Sequence, residues 1–175
     1  SAVRLFYKAL TYSRESGFSD GAGWAALRLS ALHVEQGENE EGARLLRDLL
    51  AGGPPVFQDS ALLSMIYMEA SQVFGNTGDF RATAYYLYKA LEEVARNNLG
   101  EPEHLVVIYG NLASLFGQMG QYEESLTYLA QGEQIARRKG YDGQLAKLLN
   151  IRGAAQGMMG KYDEARVSFE TGYRL

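Results

Sequence analysis

Four stretches of the chain repeat one order of small, large apolar and polar positions, and each stretch centres on a glycine: Gly37, Gly78, Gly120 and Gly160, spaced 41, 42 and 40 residues apart. Seven residues before that glycine stands a small residue (Ser30, Ser71, Ala113, Gly153), and five after it another (Gly42, Thr83, Ser125, Ala165). Nine after it comes a large apolar residue (Leu46, Leu87, Leu129, Phe169), and twelve after it Leu49, Ala90, Gly132 and Gly172, mostly small again. Two helices cross at short distance only where the facing side chains are small, and a large apolar residue one turn away fills the seam. The pattern therefore predicts helical hairpins, with each lead glycine in a left-handed cap that ends a first helix. The residue after the glycine, Asp79 above all, is placed to cap the second helix, and Glu41, Glu124 and Glu164 fall in the capping-box position.

On this reading helices run over about 1-16, 20-36, 39-51, 57-76, 79-97, 102-119, 121-138, 142-159 and 161-175, with no strand required. Proline is excluded from helix interiors, and Pro54, Pro55 and Pro102 all fall between hairpins. Phe6 and Ala9 precede Leu46 and Leu49 by 40 residues, so residues 1-19 read as the second helix of a preceding repeat. Repeats then occupy 20-55, 56-98, 99-139 and 140-175. The last stops within its second helix, which leads us to expect a segment of a longer solenoid.

The strings Gly120-Gln121-Tyr122-Glu123-Glu124-Ser125 and Gly160-Lys161-Tyr162-Asp163-Glu164-Ala165, with the small-residue slots, resemble the tetratricopeptide repeat. Phe80, Tyr122 and Tyr162 fill its aromatic place after the turn, and Tyr67 and Tyr109 its bulky place early in the first helix. Asn39 replaces the aromatic in the first copy, and His33 and Gln156 stand where the middle copies have Phe74 and Phe116. The resemblance implies an all-α fold, an α-solenoid or superhelix of about four hairpins plus a leading helix. The period is longer than the usual 34 residues, which implies longer helices or longer connections.

Composition narrows the chemistry. Of 175 residues 46% are hydrophobic, enough for a core without disulfide or metal support. Zero cysteine excludes disulfides, thiolate metal sites and a cysteine nucleophile. His33 is expected to be a core residue with one hydrogen bond and His104 an exposed one in a first turn. The formal net charge of -4 argues against a nucleic-acid surface, and no apolar run reaches the length of a membrane span. A cytoplasmic protein without a cofactor is expected. Gly21-Ala22-Gly23-Trp24-Ala25-Ala26 has the loose form of a dinucleotide fingerprint, but that motif needs a preceding strand, so an inter-repeat loop is expected instead. The acidic pairs Glu40-Glu41, Glu123-Glu124 and Asp163-Glu164 suit first turns of helices, and Arg137-Arg138-Lys139 suits a last turn. Tyr85, Tyr86 and Tyr88 are expected to pack against the next repeat with their hydroxyls at the edge. No set of residues assembles an enzyme site.

What remains is a groove. The resemblance places residues thirteen, ten, six and three before each lead glycine on its floor: Trp24, Leu27, Ala31 and Val34, then Met65, Met68, Gln72 and Gly75. Val107, Gly110, Ser114 and Gly117 follow, then Lys147, Asn150, Ala154 and Gly157. The expected function is a non-enzymatic scaffold binding a protein or peptide segment through Trp24, Leu27, Arg28, Ala31, Met65, Met68, Gln72, Asn111, Ser114, Asn150 and Ala154. Lys147 and Asn111 alone do not complete a clamp for a terminal carboxylate. An alternative follows from the period, which resembles the effector-sensing domains of bacterial maltose-regulator-type transcription activators. There the partner would be a small effector. Self-association through end helices is a third possibility.

Overall fold

The computed structural model describes residues 2–53, 55–96 and 102–175, and for Pro102 its backbone alone. The chain forms two compact units, residues 1–99 and 100–175. The first holds α1 (Ala2–Glu15), α2 (Ser19–Glu35), α3 (Asn39–Leu50), α4 (Leu62–Asn76) and α5 (Phe80–Arg96). The second holds α6 (Pro102–Gln118), α7 (Tyr122–Lys139), α8 (Asp142–Met158) and α9 (Tyr162–Tyr173). Every regular element among the described residues is a helix.

The hairpin turn is built in one way four times. Each lead glycine has φ between 77° and 79°, the left-handed region that side chains disfavour. The amide of the residue after it donates to the carbonyl five back: Glu38 to His33 (2.8 Å), Asp79 to Phe74 (3.0 Å), Gln121 to Phe116 (2.8 Å) and Lys161 to Gln156 (2.9 Å). These bonds close the first helix and consume the donor that a capping box would use. The expected box is therefore absent. Glu41 instead accepts from Tyr7 Oη (3.3 Å) and Arg44, and Glu164 accepts from Gln156 Nε2 (3.1 Å). Asp79 does cap its helix, Oδ1 accepting the Ala82 amide at 2.9 Å.

The small slots hold the hairpins together. A Cβ at Gly42 would lie 3.2 Å from the Ser30 carbonyl, and Ser125 Oγ donates to the Ala113 carbonyl at 2.7 Å inside the core. The apolar slot nine after the turn is fully buried at Leu46, Leu87 and Leu129. In the two middle hairpins a stack of rings sits beside it. Phe74 and Tyr86 lie 5.3 Å apart with Tyr67 6.1 Å from Tyr86, and 42 residues on Phe116 and Tyr128 lie 5.4 Å apart with Tyr109 6.4 Å from Tyr128. Tyr86 thus packs on the first helix of its own hairpin, whereas Tyr85 and Tyr88 are exposed. The outer hairpins replace the rings by polar contacts: Ser168 Oγ donates to Gln156 Oε1 (2.7 Å), and His33 meets both Glu38 (2.6 Å) and Tyr7 Oη (3.2 Å).

The long period is met in two ways. In the second unit α7 has 18 residues and turns into α8 through residues 140–141. In the first unit α3 has only 12 residues, and the chain crosses to α4 through residues 51–61. Helix was expected from residue 57, but α4 starts at Leu62. The Asp20 carboxylate on α2 accepts the amides of Gln58 (2.8 Å) and Asp59 (3.0 Å) and so ties a bend just before α4 to α2. Asp59 Oδ1 then accepts the Ala61 amide at 2.9 Å. Gly21 and Gly23 lie within α2 and not in a loop. A Cβ at Gly21 would fall 2.3 Å from the Phe18 ring, and one at Gly23 2.8 Å from the Phe57 ring, so both glycines are seats for aromatic rings.

Candidate functional site

Two helical faces carry the residues singled out by sequence. In the first unit α2 packs along α4. Trp24 and Met65 are half-buried against the cluster of Leu62, Ile66, Val73 and Phe74. Leu27 is a member of that cluster and only 8% exposed, so its side chain serves the core and offers little to a partner. Ala31 and Met68 are half-buried, and Arg28 and Gln72 are exposed. Glu69, which the sequence reading left out, is half-buried on α4. Burial pushes its carboxyl up, while Ser30 and Arg28 pull it down and Glu35 pushes it up further.

In the second unit α6 packs along α8, and Gln144 Nε2 donates to Glu103 at 3.2 Å across their first turns. Between the two helices lies a recess of about 190 Å³ lined by Val106, Val107, Gly110, Asn111, Gln144, Lys147, Leu148 and Ile151. Four of these eight were expected on the floor or beside it. Gly110 is buried, and a Cβ there would lie 3.0 Å from Leu148 Cδ2, so the glycine permits the close approach of α6 and α8. Asn111 and Lys147 are exposed at the recess. Ser114 accepts from Gln118 Nε2 at 3.3 Å, Ala154 is exposed, and Asn150 turns toward α9, its Oδ1 3.4 Å from where a Cβ of Gly172 would be.

Sequence reasoning missed Glu69, Ile151, Val106 and Gln144. A signal for two of them existed. The slot nine before the lead glycine holds Arg28, Glu69, Asn111 and Ile151, and two of these, Arg28 and Asn111, were already among the expected contacts. His104 is half-buried and not exposed, and its Nδ1 has no hydrogen-bond partner among the described residues. Among the described residues no group of three His, Asp or Glu could hold a metal ion, and no helix is long and apolar enough to cross a membrane.

Paired helices joined by a glycine turn, with the first helices side by side and partly open, define a helical-repeat scaffold, an architecture typical of protein–protein interaction modules. Residues 104–175, which lie in the second unit, match the family model described as Tetratricopeptide repeat. The crystal structure of BtubC (BKLC) from P. vanneervenii is similar in fold, with a TM-score of 0.80 and 22% identity over 97% of this chain and 70% of that one. Two crystal structures of MamA are also similar, each 16% identical. One has a TM-score of 0.69 over 99% of this chain and 85% of that one, and the other 0.63 over 98% and 90%. At these identities the likeness establishes the fold alone, the all-helical hairpin class of the tetratricopeptide-like solenoids. No curated protein matches the chain.

Proposed function

We propose that this chain is a non-enzymatic module that binds a segment of another protein on the open faces of its first helices, α6 with α8 and α2 with α4. The observation that supports this best is the recess between α6 and α8. Its floor is apolar (Val106, Leu148, Ile151), its volume of about 190 Å³ suits one apolar side chain, and Asn111 offers both a donor and an acceptor to a peptide backbone beside it. Peptides selected from a random display library on the whole chain provide the test. Asn111 is exposed, so Asn111→Trp covers the recess without entering the core. Selected peptides should bind this variant at least about tenfold more weakly, a loss of about 1.4 kcal/mol, with melting unchanged. Undiminished binding to both Asn111→Trp and a Met68→Glu variant of the other face would refute the proposal.

A second reading, sensing of a small effector, is favoured by a recess of about 380 Å³ lined by Phe18, Phe57, Leu49, Pro55 and Ala22 together with Arg14 and Asp48. Thermal melting against a panel of aromatic amino acids and aromatic carboxylates tests it. A rise in melting temperature that Phe18→Ala abolishes would support the sensor, and no rise with any compound would count against it.

A further inference from the structure

The α2/α4 face carries a half-buried carboxylate, Glu69, whose favourable neighbours within the fold are the Ser30 hydroxyl and, at longer range, Arg28. Glu69 is half-buried between α4 and the polar side of α2, yet among the described residues no lysine or arginine lies within ion-pair distance of its carboxylate. The other charged residues of this face do not resolve the imbalance. Arg28 is exposed and acts on Glu69 only at longer range, and Glu35, also exposed, adds a second negative charge. On the same helices Ala31 and Met68 are half-buried and Gln72 is exposed.

A carboxylate in partly desolvated surroundings is costly unless a cation meets it, and the pair is strongest where water is excluded. Closure of the face by a partner would remove the remaining water from Glu69, so a neutral or acidic partner would bury an uncompensated charge. A lysine or arginine avoids that cost, and its methylene stem can lie along the half-buried apolar residues of these helices. We infer that the α2/α4 face selects a basic segment, with a lysine or arginine of the partner paired to Glu69. This deepens, and rests on, the reading of the chain as a peptide-binding module. The upward push on the Glu69 carboxyl agrees with it, because a bound cation would reverse that push.

Random peptide-display selection on the whole chain, run beside the same selection on Glu69→Gln and on Glu123→Gln as an exposed control in the second unit, tests the inference. Expected are peptides rich in lysine and arginine from the native chain and the control, and loss of that enrichment with Glu69→Gln. The best basic peptide, measured by fluorescence anisotropy, should bind Glu69→Gln about tenfold more weakly and lose most of its salt dependence. Peptides that protect α2 and α4 from hydrogen exchange but show no basic bias, or a bias that survives Glu69→Gln, would overturn the inference and leave the binding module standing. Selection of no peptide at all would overturn both.

Discussion

Removing Arg152 should destabilise the second unit, and removing Glu133 with it should restore what was lost. The two form an ion pair between α8 and α7, Arg152 Nε donating to Glu133 Oε1 at 2.7 Å, with Arg137 3.6 Å from the other oxygen. Glu133 stands thirteen after its lead glycine and Arg152 eight before the next. In the first unit those two slots hold Leu50 and Ala70, which belong to one apolar cluster. The ion pair therefore occupies a place that hydrophobic packing fills elsewhere. Two charges about 4 Å apart attract by about 4 kcal/mol at an effective dielectric of 20. The side chain of Arg152 is 27% exposed and that of Glu133 10%, so desolvation and screening cut this heavily. We expect Arg152→Ala to cost about 1–3 kcal/mol, chiefly because Glu133 stays covered with only Arg137 nearby. Glu133→Leu combined with Arg152→Ala should lie within about 1 kcal/mol of the native chain. Urea titration of the four members of the cycle, with hydrogen exchange of α7 and α8 to place the effect, provides the measurement. If the double variant is as unstable as Arg152→Ala, the equivalence of the slots is wrong.

Three further outcomes follow from packing and burial. A Cβ at Gly153 would lie 2.7 Å from the Phe169 ring, so Gly153→Ala should lower stability by about 1 kcal/mol, and adding Phe169→Leu, which recreates the Ala113 and Leu129 pairing, should return the chain to native stability or above by thermal melting. Asp20→Ala frees the amides of Gln58 and Asp59, and their hydrogen exchange should speed by at least about tenfold while α6 to α9 stay unchanged. Burial first, then the Glu93 carboxylate, pushes the Tyr67 phenol up from 10.0 to about 12. Its folded value lies above its unfolded one, so its contribution is complete below about pH 10 and is lost as pH rises toward 12. Alkaline titration by absorbance should show late ionisation coupled to unfolding, and Tyr67→Phe should move the unfolding midpoint upward. Ionisation of all tyrosines in one step near pH 10 without unfolding would contradict this.

Positions constrained from both sides were readable in advance. The lead glycines need a left-handed backbone, and the slots at minus seven and plus five sit where two backbones cross, so residue size there is dictated by space and repeats visibly in sequence. Features set by a single long-range contact were not readable. The segment before α4 is tied to Asp20, 39 residues from Asp59, and Pro55 alone does not reveal how far the connector runs. The capping box failed because the amide it needed was already bound across the turn. Leu27 has the spacing of an open-face residue, but the rotation of α2 against α4 carries its side chain into the core. The recess between α6 and α8 depends on how two helices from different hairpins are offset, which periodicity within one hairpin does not encode.

The same division separates the fold from its specificity. At minus seven and plus five every occupant is small, because a larger residue would push the helices apart, and so these slots carry no information about a partner. At minus nine the occupants are Arg28, Glu69, Asn111 and Ile151: a cation, an acid, an amide and a hydrocarbon. Packing constrains this slot loosely, Arg28 and Asn111 being exposed and Glu69 and Ile151 half-buried. The variation falls on faces that are partly open, and it is largest between chemistries that a binding partner would distinguish. On the function proposed above, a scaffold of near-identical hairpins would acquire a particular partner through residues its own packing leaves unconstrained, and the minus-nine row is one set of such residues.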